Sequence, residues 1–91
     1  MQRIELYATR QCPYCSAARA LLKRKGLSFV ELDIAGNWEL RDEMIERAAG
    51  QTTVPQIFLD NRHIGGVAEL RELDRTGQLD MLVKFPATTQ T

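Results

Sequence analysis

Residues 3–26 read RIELYATRQCPYCSAARALLKRKG, and both cysteines of the chain, Cys12 and Cys15, fall inside this stretch. Residues 3–8 alternate, with Ile4, Leu6 and Ala8 set against Arg3, Glu5 and Tyr7, which predicts a strand. Residues 13–25 are rich in strong helix formers. Ala17, Ala20, Leu21 and Leu22 give them helical spacing, and Gly26 stands where a C-terminal cap belongs. The thiols therefore sit where a strand hands over to a helix. Four roles compete for such a pair: a metal clip, a structural disulfide, a redox centre, or two buried residues without chemistry.

The rest of the chain sets the frame. Residues 28–34, SFVELDI, are β-branched and aromatic enough for a second strand. Asn37 is an N-cap for a second helix, with acidic residues in its first turns and Gly50 at its end. Residues 53–59, TVPQIFL, predict a third strand with Pro55 near its start, where a missing amide is tolerated. A turn at residues 60–62 leads to a short return strand at His63 and Ile64. Gly65 and Gly66 break the chain before a helix over 67–76, and Gly77 separates a last short helix over 78–84. Residues 86–91 are expected to fray. The order β-α-β-α-β-β-α implies a right-handed parallel crossover followed by an antiparallel pair. One mixed four-stranded sheet flanked by helices satisfies it, in a single α/β domain, residues 1–91, of the thioredoxin-like fold.

Composition narrows the chemistry. Twelve basic residues balance twelve acidic ones in a chain of 91, so there is no electrostatic footprint for nucleic acid or an anionic membrane. No stretch approaches the ~18 apolar residues of a membrane span, and the opening residues carry charge at Arg3 and Glu5. A cytoplasmic location is the expectation, and that compartment keeps thiols reduced. A permanent Cys12–Cys15 bridge would also close a very short loop, which returns little chain entropy. Structural zinc wants four nitrogen or sulfur ligands, whereas this chain offers one cysteine pair and a distant His63, expected to be solvent-facing or satisfied. The redox reading remains.

Read as a helix start, Cys12 is the N-cap and Pro13 the first helical residue, where proline is favoured. The Cys12 sulfur then faces the unpaired amides of Tyr14 and Cys15 and the positive end of the helix dipole. Such sites lower a thiol pKa from about 8.5 to ~3.5–7.5, and only the thiolate attacks a disulfide. Cys12 is thus the expected nucleophile and Cys15, one turn inside the helix, the resolving thiol. Arg10 either adds positive potential or is a solvated surface charge. Tyr14 is assigned to the substrate groove ahead of a simple cover for the helix start.

CPYC at residues 12–15, TVP at 53–55 and GG at 65–66, in this order and spacing, resemble a bacterial dithiol glutaredoxin, and the similarity runs over residues 3–84. The resemblance implies a glutathione-dependent thiol-disulfide oxidoreductase with no bound metal or organic cofactor, glutathione being the reductant. It implies a cis Pro55, with Thr53 and Val54 presenting backbone to the glutathione peptide as a strand edge does. It places the γ-glutamyl end at Gly66 and at the amides of Val67 and Ala68, and gives Arg41 a role on the glycine carboxylate or, equally, a solvated helix position. Two departures stand out. The family commonly has two aspartates where this chain has Ala68 and Glu69, and many members have a lysine at the position of Thr9. Ala68 cannot cap the helix, and Glu69 is offered as the ligand contact instead. Implied partners are protein disulfides, glutathionylated proteins and, among candidate substrates, a ribonucleotide reductase, with the protein acting as a monomer. Two rivals remain: a redoxin recycled by thioredoxin reductase, and a carrier of a glutathione-ligated iron–sulfur cluster shared by two chains. The missing aspartate supports the first, although its aromatic-Arg-Pro segment is absent here. The proline of CPYC disfavours the second.

Overall fold

The computed structural model describes residues 3–84; the tail expected to fray, residues 86–91, lies outside them. Eight elements follow in order: β1 (Ile4–Ala8), α1 (Pro13–Arg24), β2 (Val30–Asp33), α2 (Trp38–Arg47), β3 (Gln56–Leu59), β4 (Arg62–Gly65), α3 (Val67–Arg75) and α4 (Gln78–Lys84). They form one four-stranded sheet in the order β2-β1-β3-β4. β1 pairs parallel with β2, setting Leu6 opposite Glu31, and antiparallel with β3, setting Leu6 opposite Ile57. β3 and β4 form a hairpin through Asp60 and Asn61, both with positive φ (49° and 70°), the conformation a two-residue hairpin turn requires. The α/β, thioredoxin-like reading of the element order stands.

β1 alternates as expected, but its polar positions do not face water. Ile4, Leu6 and Ala8 pack with Ala18, Leu21 and Leu22 of α1, Ile57 of β3 and Leu70 of α3. On the opposite face Tyr7 packs with Phe58, and with Met44 and Ala48 at the end of α2. Both faces of the sheet are covered, so β1 is buried along its whole length. The alternation reports two cores of different polarity rather than a wet side and a dry one.

Two strands are shorter than expected. β3 starts at Gln56 rather than residue 53. Pro55 has no amide to give a ladder, and the β1 partnership ends with Tyr7 opposite Gln56. The Val54–Pro55 bond is cis, as the resemblance implied. β2 spans 30–33 rather than 28–34, and β1 supplies its last register partner, Ala8, opposite Asp33.

The polar face of β1 is neutralised from α2. Arg47 donates to Glu5 Oε1 at 2.9 Å and to the Tyr7 hydroxyl at 2.6 Å, and its guanidinium lies 4.1 Å from the Phe58 ring centroid. The Tyr7 hydroxyl donates onward to Glu43. The Arg47 hydrogen bond holds the Glu5 carboxyl below its ordinary pKa, against a smaller upward push from burial. A carboxylate with a depressed folded pKa adds stability above its unfolded pKa and loses it as pH falls through the folded one. Arg47→Leu should therefore destabilise the protein by about 2–4 kcal/mol at neutral pH, because Glu5 is left buried without its cation. The loss should shrink below pH 4 as Glu5 takes a proton. Urea unfolding at pH 7 and at pH 3.5 checks both, and a pH-independent loss would show that Arg47 acts by packing alone.

Candidate functional site

β1 ends at Ala8 and four residues later the chain turns into α1, so the CPYC segment is fixed by a buried strand on one side and a packed helix on the other. Cys12 has an extended backbone (φ −86°, ψ 118°) and is the N-cap of α1, with Pro13 at the first helical position. Cys12 is half-buried and Cys15, one turn on, is fully buried. The Cys12 thiol points at the Val54 carbonyl, 3.9 Å away. The Cys12 side chain makes no well-aligned capping hydrogen bond to the start of α1. Even so, the surroundings favour its thiolate. Burial pushes the Cys12 thiol up, but the Cys15 and Tyr14 amides, the Cys15 thiol and the charge of Arg19 together bring it below the ordinary thiol value. Cys15 goes the other way: burial raises it, the neighbouring Cys12 raises it further, and the Thr9 amide and Arg19 only partly compensate. One thiol is poised to ionise and the other to keep its proton.

The TVP and GG motifs close on this pair. Val54 meets the Cys12 sulfur, and a Cβ added to Gly66 would lie 3.4 Å from the Pro55 carbonyl oxygen, so the two loops are in near contact. Residues 53–55 are held from below by the buried Gln56. Its side-chain amide donates to the Thr53 carbonyl at 3.0 Å, and its oxygen pairs with His63 Nε2 at 2.6 Å. His63 also lies against the Phe58 ring, with centroids 5.0 Å apart. This is the satisfied histidine expected from the sequence, and its partner is the residue that carries the TVP loop.

The start of α3 differs from expectation. Gly66 is its N-cap, with Val67, Ala68 and Glu69 following, and Glu69 turns back to accept a hydrogen bond from the Gly66 amide at 2.7 Å. The helix does not lack a cap. Glu69 supplies half of a capping box from the third helical position, and Gly66, having no side chain, cannot supply the other half. Glu69 is thus engaged with the backbone here rather than extended towards a ligand. Gly65 has φ +120°, and a Cβ there would fall 2.8 Å from the Glu69 carboxylate, so only glycine admits this folded-back arrangement.

The remaining candidates lie outside this cluster. Arg10 is 89% exposed and turns to Asp33 at 3.8 Å, while the cation acting on both sulfurs is Arg19. Tyr14 is exposed at the helix start. Arg41 lines a shallow cavity of about 150 Å³ with Ile34, Asn37 and Trp38. A larger cavity of about 510 Å³, lined by His63, Ala68, Glu69 and Leu82 among others, holds neither thiol. Among the described residues no group of three His, Cys, Asp or Glu side chains could hold a metal ion. The sequence reading missed Arg19 and Gln56. A charged residue one turn beyond Cys15, within an otherwise apolar helical run, was the available signal for the first.

A cysteine pair at a helix start, on a four-stranded thioredoxin-like sheet, is the arrangement of a thiol-disulfide oxidoreductase, and comparison with known proteins makes the class specific. A glutaredoxin family model matches residues 4–64. The chain is 55% identical over 84 residues to Glutaredoxin 3 of Escherichia coli K12, covering 92% of this chain and 100% of that one. Among solved structures, the glutaredoxin of Brucella melitensis superposes with a TM-score of 0.77 at 46% identity, covering 88% of this chain and 86% of that one. The fold is shared with a buckwheat glutaredoxin solved as a glutathione complex (TM-score 0.82, 23% identity, 91% of this chain and 77% of that one). The protein belongs to the glutaredoxin family, of the bacterial type, and is a glutaredoxin-type thiol-disulfide oxidoreductase.

The opposed shifts of the two thiols predict an order of reaction. As pH rises, Cys12 should be alkylated by iodoacetamide with a midpoint below the ordinary thiol value, while Cys15 reacts only well above it. Peptide mapping after pulsed alkylation between pH 4 and 10 reads this directly. Equal labelling of the two thiols at neutral pH would contradict it.

Proposed function

We propose that this glutaredoxin reduces protein disulfides and glutathione mixed disulfides with Cys12 as nucleophile and Cys15 as resolving thiol. The observation that carries the reading is the asymmetry of the pair: a half-buried Cys12 biased towards thiolate beside a buried Cys15 biased towards thiol. The Cys12 thiolate attacks one sulfur of a protein disulfide, forming a mixed disulfide, and the displaced sulfur leaves as a thiolate that takes up a proton. Cys15 then gives up its proton, attacks Cys12 and releases the second substrate sulfur, leaving a Cys12–Cys15 disulfide. Two glutathione molecules restore the dithiol: one forms a mixed disulfide on Cys12, and the other attacks it to give oxidised glutathione. No metal or bound organic cofactor enters these steps.

In this reading glutathione lies along Thr53, Val54 and Pro55 as an added strand, with its γ-glutamyl carboxylate at Gly66, Val67 and Ala68, and Tyr14 and Arg41 flank it. The hydrogen bond that the Gly66 amide donates to the Glu69 carboxylate supports an anion-binding character there. Arg10 and Glu69 join the site only by leaving Asp33 and that amide. The substrates are glutathionylated and disulfide-bonded proteins, ribonucleotide reductase among the candidates. The chain acts as one domain, 1–91, a monomer in the cytoplasm; among the described residues no helix is long and apolar enough to cross a membrane. A second reading, recycling by thioredoxin reductase, is favoured by one observation: Ala68 puts no carboxylate where the ligand ammonium group would lie.

A coupled assay on a small glutathione mixed disulfide separates the two. With glutathione and its reductase, turnover should be lost in Cys12→Ser and retained in Cys15→Ser. Ala68→Asp should lower the KM for glutathione about tenfold, the equivalent of ~1.4 kcal/mol. Turnover in the thioredoxin-reductase arm alone would leave the fold and the thiol chemistry in place and remove glutathione from residues 65–69.

A further inference from the structure

We propose that Arg19 is a positioning residue that sets the redox equilibrium of the Cys12–Cys15 pair, and that Glu31 on β2 tunes it by partly neutralising that charge. This deepens the dithiol reading above and rests on it. Arg19 stands four residues after Cys15, so the two share a face of α1. Its side chain is only 18% exposed and is held by three separate segments. Nε donates to both Glu31 carboxylate oxygens at 2.8 Å, Nη2 to the Thr9 carbonyl at 3.0 Å, and Nη1 reaches Ser16 Oγ at 3.4 Å. Thr9 is also the residue whose amide faces the Cys15 sulfur. The guanidinium thus does two things at once: it fixes the loop that presents this amide, and from the Cys15 face of α1 its positive charge favours the ionised form of both thiols.

The other charged groups nearby do not duplicate it. Arg10 on the preceding loop is turned outward to Asp33 at the end of β2, and Glu69 on α3 is bound to the Gly66 amide. Among the described residues, Glu31 is the anion that pairs with the Arg19 guanidinium, at 2.7 Å. A cation held in place by packing keeps its field at the sulfurs, whereas a mobile surface cation would be screened.

The sign of the effect follows from the exchange with glutathione. The dithiol and oxidised glutathione give the protein disulfide and two glutathione molecules: two protein S–H bonds are lost, one protein S–S bond forms and the glutathione S–S bond breaks. A thiolate exists only on the reduced side, so a cation that stabilises it draws the equilibrium towards the dithiol and makes the protein more oxidising. Removing the cation favours the disulfide.

The test is the equilibrium constant against glutathione redox buffers, with the ultraviolet thiolate transition of each variant measured alongside. Arg19→Met should raise the constant for disulfide formation about three- to tenfold, tenfold being ~30 mV for a two-electron couple, and move the thiolate transition to higher pH. Arg19→Lys, which keeps the charge, should stay within about twofold of the parent. Glu31→Gln keeps the acceptor and removes the opposing charge, so it should shift both readouts the other way. An Arg19→Met constant within twofold of the parent, with only a lowered thermal midpoint, would mean that the Arg19–Glu31 pair is structural and overturn the proposal. So would Arg19→Met and Glu31→Gln shifts of the same sign. The equilibrium is read without turnover, so its failure leaves the assignment of Cys12 as nucleophile untouched, and that assignment fails separately if Cys12→Ser remains active.

Discussion

β1 cannot move, because helices cover both of its faces and strands pair with both of its edges. Everything at the site is referred to that strand. Its last residue, Ala8, fixes where the Thr9–Gln11 loop leaves the sheet, and the loop fixes where α1 begins. α1 is locked in turn by Ala18, Leu21 and Leu22 against the same strand. The N-cap position of Cys12 is therefore set by core packing. A helix start free to fray would lose the amides that favour the thiolate.

The same strand, through β3, places the second half of the site. The Leu6–Ile57 register puts Gln56 beside Tyr7 at the end of the ladder, and the chain before it, Thr53 to Pro55, is left to run past Cys12. Gln56 has its polar atoms turned to Thr53, Gln51 and His63, so a fully buried amide is satisfied while it holds the loop. Gly66 then lies against Pro55 and starts α3. Three motifs far apart in sequence become neighbours through two strand registers.

Polar groups within the fold are paired across elements rather than solvated. Arg47 meets Glu5 and Tyr7 across α2 and β1, and Arg19 meets Glu31 and Thr9 across α1, β2 and the loop. The first pair neutralises a Glu5 charge that the two-sided covering of the sheet would otherwise strand, and the second pins a largely shielded Arg19 against a more open Glu31. Only the second shares a helix face with Cys15, so its charge also bears on the thiols.

The local signals in the sequence were strong where one residue type has one physical use. Alternation marked β1, Pro13 after Cys12 marked the helix start, Asn37 accepts from the Leu40 amide as the N-cap expected of it, and Gly65 takes the positive φ that its place before α3 demands. The element order followed, and with it the topology, because parallel crossovers have one hand and a hairpin needs an antiparallel pair. What the sequence left open depends on partners distant along the chain. Arg10 and Arg19 are equally charged, and only the packing of α1 against β2 turns the second inward to Glu31 and Thr9 while the first turns out to Asp33. Ala68 seemed to leave α3 uncapped, until the fold brought Glu69 back over Gly65 to the Gly66 amide. Short-range preferences decide which elements form; side-chain direction and electrostatic environment belong to the tertiary structure, since both depend on atoms that the chain brings together only after folding.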